Sequence, residues 1–145
     1  MNRVILVTGG FDPIHGGHIK YLRSAKEIDP PSPLCVGLNS DEWLIRKKGK
    51  YFMNFDERKE VVSGMKDVDV VIPFIDKDGS ACDAIDMCLQ IYDLVIFCNG
   101  GDRYQVNAPE WETFKKDQRV HFRWKVGGED KHNSSSQILE RWDKT

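Results

Sequence analysis

Two histidines, His15 and His18, stand three residues apart in the stretch Thr8-Gly-Gly-Phe-Asp-Pro-Ile-His-Gly-Gly-His18, directly behind the apolar run Val4-Ile5-Leu6-Val7. A strand that ends in glycines and re-enters as a helix brings backbone N–H groups close to phosphate. Gly9, Gly10, Phe11 and Gly17 belong to that turn, where glycine lets the chain approach an anion. If the helix has begun by His15, the i, i+3 spacing sets both imidazoles on its first turn, beside free N–H groups and the positive end of the dipole. Imidazoles so placed donate hydrogen bonds to a triphosphate. When protonated, they stabilise charge developing on a transferring phosphoryl group and on its leaving group. Alone, the pair would equally suit a helix cap or a transition-metal chelate. The strand and Gly-Gly-Phe-Asp-Pro before it favour phosphate work.

Three further segments carry groups suited to the same chemistry. Arg46-Lys47-Lys48-Gly49-Lys50 gathers four cations around a glycine. It reads either as a solvated loop or as a mobile basic loop that closes over a polyphosphate. Arg58, one turn into the next helical segment, either reaches the same charge or is simply solvated. Gly100-Gly101-Asp102 makes a tight turn with an acid at its tip, fit for ribose, a cation or substrate hydroxyls, or for an Asx turn. Ser134, Ser135 and Ser136 bring hydroxyl and N–H groups to a helix start, as any well-capped helix would.

Something must hold these segments together. Short β-rich apolar runs alternate with stretches of helical period, which argues for βα units and a parallel sheet covered on both faces. Strands are expected at 3–8, 34–38, 68–72, 94–97 and 120–126. Ile19, Leu22, Ala25 and Ile28 line a helix that begins near Gly16 or Gly17. Asn54 with Glu57 caps a second, lined by Phe55, Val62 and Met65, and Ala81, Ile85, Cys88 and Leu89 line a third. Ser134-x-x-Gln137 is a capping box for a last helix, with Ile138, Leu139 and Trp142 on its inner side. Right-handed crossovers put every βα turn at one edge of the sheet. The segments 8–18, 39–51, 99–102 and 131–136 then face one crevice, where ligands of open α/β sheets bind.

Composition narrows the functions. The 145 residues fit one domain, 1–145, able to bury a core without staples. With a formal charge of -2 and acids and bases mixed, there is no basic field to drive nucleic-acid binding. No stretch is apolar enough to span a bilayer, and the first seven residues are too short for the apolar part of a signal peptide. Cys35, Cys82, Cys88 and Cys98 show no zinc-type spacing and read as reduced residues of a cytoplasmic protein. The first turn lacks GxGxxG, which argues against a redox dinucleotide enzyme.

Thr8 to His18 resembles the HxGH signature of the nucleotidyltransferase (cytidylyltransferase-like) superfamily, and Ser134-Ser135-Ser136-Gln-Ile resembles its closing ISTS/T motif. Asn39-Ser-Asp-Glu, Lys48-Gly, Asn54-Phe-Asp-Glu-Arg58-Lys, Val68-Asp-Val-Val-Ile-Pro and Gly100-Gly-Asp102 follow the family's order between them, so the resemblance covers nearly the whole chain. It is nearest in pattern to heptose-1-phosphate adenylyltransferases and glycerol-3-phosphate cytidylyltransferases. The resemblance implies a Rossmann-like, doubly wound, five-stranded parallel sheet in three layers, α/β/α. It also implies Mg²⁺-assisted transfer of AMP or CMP from ATP or CTP to a sugar or polyol phosphate, releasing pyrophosphate. By position, His15 and His18 would contact the triphosphate and Lys48 would assist. Arg58 would hold phosphate or acceptor, Ser134, Ser135 and Ser136 would line the phosphates, and Asp12 and Asp102 would lie near the metal or the substrates. Lys131 stands near the place of an arginine that precedes the serines in cytidylyl enzymes, and offers a point charge rather than a bidentate clamp. Family members often form homodimers, and no patch in the sequence identifies an interface. Two other readings stand beside this one: a catalytically silent nucleotide-binding module, and a metal-dependent hydrolase using His15, His18 and Asp12 as ligands.

Overall fold

The computed structural model describes residues 2–101, 103–128 and 134–144, apart from the side chain of Val106. Strands β1 (Arg3–Gly9), β2 (Leu34–Leu38), β3 (Val70–Pro73), β4 (Leu94–Gly100) and β5 (Val120–Val126) form one parallel sheet in the order β3-β2-β1-β4-β5. β1 is central, with Ile5 opposite Leu34 on one side and Ile96 on the other. It is the strand at which the winding reverses, and a crevice opens at the carboxyl end of such a switch point.

A strand buried on both faces has no solvent side to alternate with, which is why Val4, Ile5, Leu6 and Val7 form an unbroken apolar run. Ile5 and Val7 belong to a core shared with Leu22 and Ala25 of α1 (Gly16–Lys26) and Val62 of α3 (Phe55–Ser63). Val4 and Leu6 face the other way, into a core with Ala84, Ile85 and Cys88 of α4 (Cys82–Leu89) and Phe114 of α5 (Pro109–Phe114). The expected α/β architecture, helices over both faces of a five-stranded parallel sheet, is the one observed. Cys35, Cys88 and Cys98 are buried and all four cysteines are free thiols; burial pushes the Cys98 thiol up to about 12, which keeps it unreactive.

Some expectations need correction. The basic segment after β2 is not a mobile loop: residues Asp41–Lys48 form a further helix, α2. The Ser40 hydroxyl accepts the Trp43 N–H, Asp41 and Glu42 sit in its first turn, Arg46, Lys47 and Lys48 in its last, and Gly49 closes it at φ 88°. Each is a standard start or stop device, and the charges run the way the helix dipole favours. β4 continues three residues beyond 97, and α5 appears after Pro109. The last helix, α6 (Ser135–Asp143), starts at its Ser134 cap, but Trp142 is 74% exposed and does not face inward. Ile19 is likewise 40% exposed, because α1 docks through Tyr21, Leu22 and Ala25.

Candidate active site

A cavity of about 610 Å³ lies at the carboxyl edge of the sheet, within the size range of small-molecule sites. Gly9, Gly10, Phe11, Asp12, His15, Gly17, His18, Lys48 and the three serines 134–136 all line it. Asp102 and Lys131 lie outside the described residues.

α1 explains the histidine spacing. His15 is its N-cap, and its Nδ1 accepts the Gly17 N–H at 3.0 Å. His18 Nδ1 accepts the His15 N–H at 3.2 Å, so the two imidazoles close a reciprocal cap. The geometry also requires the glycine between them: a Cβ on Gly17 would meet the His15 ring at 2.8 Å. With Nδ1 accepting a backbone N–H in both rings, the nitrogen suited to carry a ring proton is Nε2. The buried Phe11 ring sits against His18 at 4.8 Å between centroids, and the two imidazoles are 4.0 Å apart. Phe11 thus supports a histidine with its side chain, while its backbone, at φ 51°, turns the loop.

Asp12 is turned away from the role of metal ligand. It is 2% exposed, and its two carboxylate oxygens accept the N–H groups of Phe52 and Met53 at 2.6 and 2.7 Å. This pins the connection between α2 and α3 against the first turn. The hydrolase reading, which needed Asp12 beside the two histidines, falls with it. Among the described residues no group of three or more His, Cys, Asp or Glu side chains could hold a metal. Of the two acids expected near a magnesium ion, Asp12 has both oxygens engaged by backbone N–H groups, and Asp102 lies outside the described residues.

Lys48 ends α2 with its Nζ donating to the Asp12 carbonyl at 3.1 Å. Burial holds its ammonium below the ordinary lysine range, Asp12 opposes that, and the Arg58 charge adds to it. An ammonium whose pKa is lowered loses its charge at lower pH than a surface lysine does. Turnover that depends on this charge is therefore expected to decline early on the alkaline side. Lys48→Arg, charged throughout that range, should abolish this decline in a pH–rate profile. A decline unchanged in the arginine variant would assign it to another group.

Arg58 requires the largest correction. It neither reaches the cavity nor lies in solvent: it is 0% exposed. Its Nε donates to the Met53 carbonyl, its Nη1 to those of Gly10 and Asn39, and its Nη2 to the Asp41 carboxylate at 2.7 Å. The guanidinium ties the ends of β1 and β2 to the starts of α2 and α3, and is a structural keystone rather than a ligand for substrate. Ser135 is similar on a smaller scale, since its hydroxyl donates to the Pro13 carbonyl at 2.6 Å. That bond seats the start of α6 beside the start of α1 and takes the proton that was expected to go to phosphate.

The cavity also holds residues that spacing alone did not identify. Trp43 lies over Gly10, where a Cβ would meet Leu44 at 2.9 Å and Trp43 at 3.3 Å, and Lys47 stands 4.6 Å above the indole. Asn99, Arg103 and Glu110 line the wall across the sheet edge from the histidines. Asn99 was within reach of sequence reasoning as the polar residue just before Gly100-Gly101. Glu110 carries no local signal.

Comparison with known proteins agrees with this geometry. The family model described as Cytidylyltransferase-like matches residues 6–141. Glycerol-3-phosphate cytidylyltransferase of Bacillus subtilis (strain 168) is 31% identical over 117 residues, covering 79% of each chain. Bifunctional protein HldE of Campylobacter concisus (strain 13826) is 42% identical over 74 residues, half of this chain but only 15% of that protein. The same protein of Shewanella sediminis (strain HAW-EB3) is 38% identical over the same length, and again the chain spans about 15% of it. Among solved structures, the lipopolysaccharide core biosynthesis protein from Thermoplasma volcanium GSS1 superposes with a TM-score of 0.64 at 26% identity, over 86% of this chain and 95% of that one. With a family model over almost its whole length and a paired-imidazole helix start at the switch point of a parallel sheet, the chain belongs to the Cytidylyltransferase-like family.

Proposed function

We propose that the protein is a nucleotidyltransferase that moves AMP or CMP from ATP or CTP to the phosphate of a small sugar or polyol phosphate. The observation that carries this reading is the meeting of two helix N-termini, α1 and α6, at one cavity through the Ser135–Pro13 bond, with two imidazole donors and Lys48 around it. Partial positive charge at both helix starts suits a triphosphate. An oxygen of the acceptor phosphate attacks the α-phosphorus, the bond to the bridging oxygen breaks, and pyrophosphate leaves with that electron pair. The Nε2–H donors of His15 and His18 take up the charge that grows on the leaving oxygens, and Lys48 neutralises the approach of two anions. No covalent intermediate is needed, because holding both anions in line is itself a large part of the catalysis. Magnesium arrives with the nucleotide as the counter-ion of its triphosphate.

The test is pyrophosphate release in the presence of Mg²⁺, with ATP and CTP run separately against a panel of sugar and polyol phosphates, and a His15/His18 double alanine variant as control. Turnover with one pair, lost in the variant, is expected. Tight nucleotide binding without turnover on any acceptor would favour a silent binding module instead.

A further inference from the structure

Two side chains in the cavity wall remain without a task. Asn99, at the end of β4, is 7% exposed, and Glu110, in the first turn of α5, is 2% exposed; both line the cavity. Among the described residues, each carries an atom with no hydrogen-bond partner, Asn99 Nδ2 and Glu110 Oε1. One is a donor and the other an acceptor. Glu110 is fixed in place, because its Oε2 accepts the Ala81 N–H at 2.7 Å. Arg103 Nη1 stands 3.9 Å from Oε1, too far for a hydrogen bond, and donates to the Asn107 carbonyl at 3.0 Å instead. Buried polar atoms are rarely left unpaired, and two in one wall point to a partner from outside the chain.

The position of this wall says which part of a substrate it meets. Along β4, Val95 and Phe97 face the core under α4 and α5, and Asn99 continues that alternation. The imidazoles and Ser135 belong to α1 and α6, and α1 covers the opposite face. A carboxylate repels phosphate, so the wall is unsuited to the triphosphate or to the acceptor's own phosphate. Arg103 beside it offsets the pull on an ammonium group. Hydroxyl groups can both donate to Oε1 and accept from Nδ2 without carrying charge.

We infer that Asn99 and Glu110 determine acceptor specificity by binding hydroxyl groups of its sugar or polyol part, while its phosphate points across the sheet edge toward the imidazoles. This rests on the nucleotidyltransferase reading and deepens it. The test measures KM and kcat for wild type, Asn99→Asp and Glu110→Gln with glycerol 3-phosphate, a hexose 1-phosphate, the deoxy analogues of each, and phosphoethanolamine. On the acceptor that wild type uses, each variant is expected to raise the acceptor KM by about tenfold or more. The nucleotide KM should stay within about twofold, and the penalty should vanish on the deoxy analogue that lacks the bound hydroxyl. An equal penalty on all analogues, a raised nucleotide KM, or preference for phosphoethanolamine overturns the assignment. Should a variant fail to fold, the wild-type series decides alone: deoxy analogues used as well as their parents overturn it. Silence of the wild type with every acceptor would instead bring down the functional reading itself, which keeps the two failures apart.

Discussion

Replacing His18 by alanine is expected to lower kcat for pyrophosphate release by about 100-fold or more, the usual cost of deleting one donor to a developing oxyanion. The structure gives this expectation its form. His18 Nδ1 is occupied by the His15 N–H, and the neighbouring Phe11 and His15 rings hold the imidazole in place. The alanine variant also loses half of the reciprocal cap, which stabilises the fold by about 1 kcal/mol. At roughly 2–4 °C per kcal/mol for a chain of this size, the unfolding midpoint should move only a few degrees. A large loss of rate beside a small loss of stability is the signature to look for in parallel assays of turnover and thermal unfolding. A rate within about threefold of wild type would remove His18 from the chemistry and leave it a capping residue.

Arg58 should behave in the opposite way. Arg58→Met fills much the same volume but leaves the carbonyls of Gly10, Asn39 and Met53 and the partly exposed Asp41 carboxylate without the donors of a wholly buried guanidinium. Breaking a buried ion pair from one side costs about 3–5 kcal/mol, so the unfolding midpoint is expected to fall by roughly 10 °C. Lysine should not rescue it, since one ammonium cannot span acceptors that a planar fork reaches at once. Denaturant or thermal unfolding of the two variants checks this. If both unfold like wild type while the acceptor KM rises, Arg58 is a substrate ligand after all and the buried network is not the source of its importance.

Several features of this fold were open to sequence reasoning because their causes are local. The apolar runs, the Asn54 and Ser134 caps and the glycines around the histidines act within a turn or two of chain. α2 was equally legible, since Ser40, the acids that follow it, the basic last turn and Gly49 are all start and stop devices. The density of positive charge at 46–50 competes with those signals and reads as a loop. Trp142 and Ile19 fit the helical period and still face solvent, because period fixes a face and only the docking of the helix decides how much of that face is covered.

By itself, the sequence determined the alternation of strands and helices, and so the parallel sheet, its loaded edge and the paired histidines at the first helix start. Tertiary structure alone decided what each polar side chain there does. Asp12 turns to amides 40 and 41 residues away, Arg58 reaches a carbonyl 48 residues back, and Glu110 accepts from an N–H at a distance of 29. The physical reason is that caps and periods are satisfied by neighbours in the chain. A buried charge must take whichever partner packing brings within 3 Å, and no spacing in the sequence records that choice.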